Sequence, residues 1–226
     1  MIRELPGANY AITTNGAVIA DLKTNKAIRT CGLSNEMVQR ILNIAKKYHS
    51  ATDPFIDGRA ITQPSSIDHM DEFGLSPQMQ KLIRDTREVV PDVMEYVKTT
   101  GAQAEKINIF MADLEEREIL RKELMAMPEL SISSSMYNNL EVNAKGADKG
   151  SALLWLADHL GISREETMAF GDGENDILMI KAAGIGVAME NALDTVKEAA
   201  DTITLNNDED GVAAAIRKFI FGSSEE

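Results

Sequence analysis

The spacing of apolar residues changes character near residue 145. Beyond it, short apolar runs alternate with stretches of helical period, which predicts strand–helix repeats and a parallel, doubly wound sheet. Helices are expected over 149–159, 176–183, 192–200 and 211–221, and strands over 167–170, 185–188 and 202–205. Gly161 stops the first of these helices, and Ser163 with Glu166 forms a capping box. Before residue 145 the pattern is mixed. Residues 10–14 read as a short buried strand ending in Asn15-Gly16, followed by an extended stretch over 17–20 and a turn over 21–26. Ser34 caps a helix whose apolar positions Met37, Val38, Ile41, Leu42 and Ala45 fall at helical spacing. Over 50–80 the residues Pro54, Gly58, Pro64, Gly74 and Pro77 break the periodicity. Residues 89–98 read as a helix with Pro91 early in it, 106–112 as a strand, 114–127 as an amphipathic helix, and 130–135 and 139–143 as strand-like pieces. This middle region is α+β. Residues 1–7 resemble the last turn of a helix ending at Pro6-Gly7, and 223–226 a frayed tail.

Composition narrows the classes of function. The 226 residues suffice for one large domain or two small ones. A net charge of −13 repels polyanions, so nucleic-acid binding is not expected. It also repels phosphorylated molecules unless a cation or a local Lys offsets it. No apolar run approaches the length of a membrane span. The single cysteine, Cys31, allows no disulfide within the chain and suits a reducing cytoplasm.

The candidate chemistry concentrates in Met168-Ala-Phe-Gly-Asp-Gly-Glu-Asn-Asp-Ile-Leu-Met179. An apolar strand runs into Gly171-Asp172-Gly173, and Asp176 follows four residues after Asp172 with Asn175 between them. Carboxylates past the carboxyl end of a buried strand suit Mg²⁺ and phosphate, and the glycines allow tight turns beside an anion. A plain polar turn, with Asp172 or Asn175 capping the next helix, uses the same residues. Lys149 opens the helix after Lys145-Gly-Ala-Asp, where it opposes the helix dipole. It can neutralise a phosphoryl group as a point charge, or be a solvated surface lysine. Asn15-Gly16 would share the rim with Asp172 in a parallel sheet, or turn a hairpin. Asp208-Glu-Asp210-Gly211 has the outline of a nucleophile motif but also of an acidic helix start, which is the preferred reading. His49, His69 and His159 have no metal-ligand spacing.

Lys149-Gly-Ser-Ala-Leu, the Met168–Met179 segment, Ala183-Gly-Ile-Gly-Val-Ala-Met, Asn191-Ala, Val196-Lys-Glu-Ala-Ala-Asp and Glu209-Asp-Gly-Val-Ala together resemble a haloacid dehalogenase (HAD) superfamily hydrolase of the Cof-type branch. Tyr10-Ala-Ile-Thr-Thr-Asn-Gly-Ala is similar to that branch's strand before its cap. The resemblance implies a Rossmannoid parallel-sheet core over 1–20 and 145–226, with an inserted type IIB α+β cap over 21–144. It implies Mg²⁺ held by Asp172 and supported by Asp176, and Lys149 holding the nucleophile and the transferring phosphoryl group. Asn175 would orient that Lys or the phosphate, with Asn15 and Gly16 on the substrate side. The implied activity is Mg²⁺-dependent hydrolysis of small phosphorylated metabolites such as sugar phosphates, through an aspartyl-phosphate.

The family opens with a strand ending in Asp-x-Asp-Gly-Thr, whose first Asp is the nucleophile. No such motif occurs in the 226 residues. The expectation is a core lacking its first strand–helix units, through a start assigned at an internal Met, a truncated gene, or a second polypeptide supplying those strands. On that expectation this chain alone has little activity. The alternatives are a non-catalytic phosphate- or partner-binding protein and the phosphorylation domain of a cation pump; the lack of an apolar span argues against the second.

Overall fold

The computed structural model describes residues 7–222, so the helix end expected before Gly7 and the tail expected after Gly222 lie outside the described residues. The chain divides after Ala147 into two compact units.

The first unit begins with β1 (Tyr10–Thr13), β2 (Val18–Asp21) and β3 (Lys26–Thr30), an antiparallel sheet in that order. β1 and β2 are neighbours in register from Tyr10↔Asp21 to Thr13↔Val18, so Asn15-Gly16 turns a hairpin. By its contacts the Tyr10–Thr13 strand therefore groups with the residues that follow it. Next come α1 (Asn35–Ala45), capped by Ser34 through the Met37 N–H, then β4 (Ala51–Ile56) and β5 (Arg59–Thr62). They are followed by α2 (Pro64–Asp68), α3 (Pro77–Thr86), β6 (Arg87–Val89), α4 (Val93–Thr100), β7 (Lys106–Phe110), α5 (Leu114–Met125), β8 (Leu130–Ser133) and β9 (Asn139–Ala144). These strands form a six-stranded sheet in the order β6-β5-β4-β7-β9-β8.

The prolines that blur residues 50–80 sit where a missing N–H costs little. Pro64 and Pro77 open α2 and α3, where the first N–H groups have no helical partner. Pro54 lies in β4 but outside the β4–β5 ladder, which begins at Phe55. Pro91 precedes the N-cap Asp92 of α4 instead of lying inside a helix, and residues 87–89 are a strand.

Alternation along β7 and β9 splits this sheet into two chemistries. Ile107, Ile109, Leu140 and Val142 face α1, α4 and α5 in one core, with Val38, Ile41, Val97, Leu120 and Leu124. Asp53, Asn108 and Glu141 lie side by side across β4, β7 and β9 on the opposite face, with Lys106 beside Phe55. These polar residues are buried too.

The second unit follows the expected alternation: α6 (Lys149–Leu160), β10 (Met168–Gly171), α7 (Ile177–Ala182), β11 (Ile185–Ala188), α8 (Asp194–Ala199), β12 (Thr202–Ile203) and α9 (Gly211–Ile220). The sheet is parallel, β10-β11-β12. Gly161 ends α6 in the left-handed conformation, and the Ser163 N–H donates to Glu166 Oε2 at 2.9 Å as a capping box. α6 runs one residue past the expected end, β10 and β11 keep their expected lengths, and α7, α8, β12 and α9 are one to three residues shorter than the periodicity implies; the 3₁₀ turn Glu174–Asp176 takes the first residue expected of α7. Gly150 sets the α6–α7 spacing: a Cβ there would lie 2.4 Å from the Leu178 carbonyl oxygen. That close approach brings the first turn of α6 against the loop after β10.

Candidate active site

Asp172 follows the carboxyl end of β10, where parallel sheets place ligands. The turn that holds it is organised by Asp176. Asp176 Oδ2 accepts the backbone N–H groups of Asp172 and Gly173, both at 3.1 Å. Asp176 Oδ1 accepts from Lys149 Nζ at 2.5 Å. Asp176 is buried and spends both oxygens inside the protein, while Asp172 is exposed. The two carboxylates thus have different duties: one builds the turn and anchors the lysine, the other faces outward. The carboxylate that accepts the backbone N–H groups of this turn is that of Asp176. Lys149 has three donors and the Asp176 contact uses one. Asn175 lies in the same 3₁₀ turn, its amide oxygen beside Gly173.

Asp172 has a partner that the sequence reading missed. Asn191 Nδ2 donates to Asp172 Oδ2 at 3.3 Å, and the Asp172 carbonyl accepts the Leu193 N–H at 3.1 Å. The only sequence signal for Asn191 is its place in the Asn191-Ala motif. Asp208 and Asp210 lie in the turn that leads into α9, as an acidic helix start would.

Among the described residues, no group of three or more His, Cys, Asp or Glu side chains is placed to hold a metal ion. The donor chemistry nevertheless fits a hard divalent cation: an outward carboxylate beside glycine turns, with a second carboxylate fixing its backbone. Asp172 fits as one oxygen ligand, and Asp176 as the residue that supports it.

Asn15 and Gly16 belong to the first unit. Thr14, Asn15 and Gly16 all have positive φ, at 49°, 59° and 95°, an unusual run that fixes where the Asn15 amide points. Asn15 Nδ2 donates to Glu141 Oε2 at 2.8 Å and to Asn143 Oδ1 at 3.3 Å. The other oxygen of Glu141 accepts from Lys106 Nζ at 2.7 Å and from Ser135 Oγ at 3.2 Å. Burial pushes the Glu141 carboxyl up, but the Lys106 ammonium and the bonds from Lys106, Asn15 and Ser135 outweigh it and hold it below the ordinary range. Asp53, paired with Arg87 at 3.0 Å, is instead raised, because burial outweighs the guanidinium. Lys106 and Glu141 gave no sequence signal, since polar positions of an alternating strand read as a solvent face.

A family model for haloacid dehalogenase-like hydrolases matches residues 1–216, and the chain belongs to that family. Over 114 residues it is 50% identical to a 5-amino-6-(5-phospho-D-ribitylamino)uracil phosphatase of Bacillus subtilis, covering 49% of this chain and 46% of that protein. The chain thus matches less than half the length of that relative. A haloacid dehalogenase-like hydrolase from B. subtilis aligns with a TM-score of 0.82 at 28% identity, covering 93% of this chain and 79% of the other. A HAD subclass IIB sugar phosphatase aligns with a TM-score of 0.75 at 27% identity, covering 93% and 75%. The fold is mixed α/β with a parallel-sheet core, and its structural neighbours are haloacid dehalogenase-like hydrolases.

Proposed function

We propose that this chain carries part of the active site of a Mg²⁺-dependent phosphatase acting on small phosphate monoesters such as sugar phosphates. The observation that carries the reading is the Lys149–Asp176 clamp under the Asp172 turn, at the carboxyl end of a parallel strand. In this reading 145–226 with 1–20 is the core and 21–144 the cap. Asp172 is the metal ligand and Asp176 supports it, while Lys149 neutralises the phosphoryl oxygens as a held point charge. Asn175 faces the phosphate, and Asn15 with Gly16 lies on the substrate side. A bound Mg²⁺ would neutralise developing charge on the phosphoryl group. The phosphatase name of the 50%-identical relative and the sugar phosphatase among the neighbours support the class of reaction.

The reading assigns the nucleophilic carboxylate to no residue of this chain. The 226-residue polypeptide is therefore expected to bind inorganic phosphate in a Mg²⁺-strengthened, Lys149-dependent manner, and to hydrolyse p-nitrophenyl phosphate only feebly. Calorimetry with phosphate and a p-nitrophenol assay, each repeated on Asp172→Asn, test this. Brisk turnover that survives Asp172→Asn would sink it. Saturable phosphate binding with no turnover, even after addition of a polypeptide bearing the Asp-x-Asp-Gly-Thr strand, favours a non-catalytic binding protein instead.

A further inference from the structure

We infer that Asn191 is a positioning residue for Asp172, holding one carboxylate oxygen so that the other is presented to a divalent cation. The inference rests on the reading of Asp172 as a metal ligand. Asn191 is fixed at both ends of its amide. Its Oδ1 accepts the Asn207 backbone N–H at 3.1 Å, and its Nδ2 donates to Asp172 Oδ2 at 3.3 Å. The first contact dictates the second. A backbone N–H can only donate, so it must meet the amide oxygen, and the NH₂ group is left facing Asp172.

Asn191 therefore spans three loops. They follow β10, β11 and β12, the three parallel strands whose carboxyl ends lie together. The main chain ties the same loops: Leu193 N–H donates to the Asp172 carbonyl, and Met189 N–H to the Gly171 carbonyl at 3.0 Å. Backbone ties set where Asp172 sits, but they leave its side-chain torsions free. Among the described residues, the Asn191 amide is the side-chain contact placed to choose among them. At 3.3 Å between exposed groups the bond contributes little energy, so its value lies in orientation. A carboxylate oxygen keeps a second lone pair, so the amide does not block Oδ2; it sets the plane of the carboxylate and leaves Oδ1 the less encumbered oxygen for a cation.

The test uses the whole chain and Mn²⁺ as an EPR-visible stand-in for Mg²⁺, with thermal unfolding alongside. Wild type is expected to give a saturable isotherm that Asp172→Asn abolishes. Asn191→Ala is expected to weaken Mn²⁺ binding by about tenfold, the usual scale for a residue that orients a metal ligand, with an altered Mn²⁺ line shape and an unchanged melting temperature. If Asn191→Ala lowers the melting temperature, the Mn²⁺ isotherm is read at a temperature where both proteins are fully folded. Unchanged affinity in a folded Asn191 variant, with binding still lost in Asp172→Asn, overturns the positioning role alone. Binding that survives Asp172→Asn, or none in wild type, overturns the metal-ligand reading beneath it.

Discussion

Lys106→Met is expected to destabilise the first unit by about 3–5 kcal/mol, the usual cost of leaving one member of a buried ion pair without its partner. Lys106 and Glu141 side chains are 11% and 5% exposed, so solvent cannot replace the lost ammonium. Asn15 and Ser135 still donate to Glu141 in the variant, which places the expectation toward the lower end of that range. The pH dependence separates this account from a simple packing defect. In wild type the folded-state pKa of Glu141 is depressed, so its stabilisation is present at neutral pH and is lost as pH falls through that low value. In Lys106→Met the ammonium is gone and burial dominates, so the folded-state pKa rises above the unfolded one. The sign then reverses: the folded state takes up the proton first, and acidification recovers part of the lost stability. Urea midpoints from pH 7 down to about 4, the unfolded Glu range, should therefore converge for the two proteins. Parallel curves would refute the charge account. The double variant Lys106→Met/Glu141→Leu should recover much of the loss, as hydrophobic replacement of a buried pair often does.

That pair also shows where sequence reading reaches its limit. The second unit was legible because its information is local: strand–helix alternation, Gly161 as a stop, Ser163 with Glu166 as a cap, and Asp172 and Asp176 within one turn. The clamp from Lys149 to Asp176 spans 27 residues, and the close packing of the two helices at Gly150 accompanies it. Its members were legible as separate candidates, but their division of labour was not. Asp172 and Asp176 look alike in sequence; burial and two backbone bonds distinguish them. The first unit was less legible because its pairings are distant. Asn15 meets Glu141 across 126 residues, and the β4–β5 hairpin lies among prolines that also mark loops. Residues 77–86, a capped helix, were hidden by Pro77, although Ser76-Pro77 is a regular helix start.

Gly171→Ala is expected to have the second large effect, by pushing the end of β10 off the Asp176 turn. A Cβ on residue 171 would lie 2.3 Å from Asp176 Cβ, 2.7 Å from its Cγ and 2.9 Å from its Oδ2. The first of these atoms is fixed to the backbone, so no rotamer change relieves the clash. Overpacking of this kind costs about 1–3 kcal/mol. The displacement also strains the two backbone bonds to Asp176 Oδ2, each worth about 0.5–1.5 kcal/mol if broken. Because Lys149 is anchored by the same carboxylate, the cation should shift with it, and phosphate binding should weaken beyond what the stability loss explains. Gly173→Ala is the internal control. Its Cβ would approach the Asn175 amide oxygen at 3.1 Å, a side-chain atom at a longer distance than any contact at residue 171, so its melting temperature should fall less than that of Gly171→Ala. The amide proton shifts of Asp172 and Gly173 should move strongly in the first variant and weakly in the second. Equal losses in both would mean that the turn tolerates no side chain anywhere, and that Asp176 is not the feature that makes residue 171 a glycine.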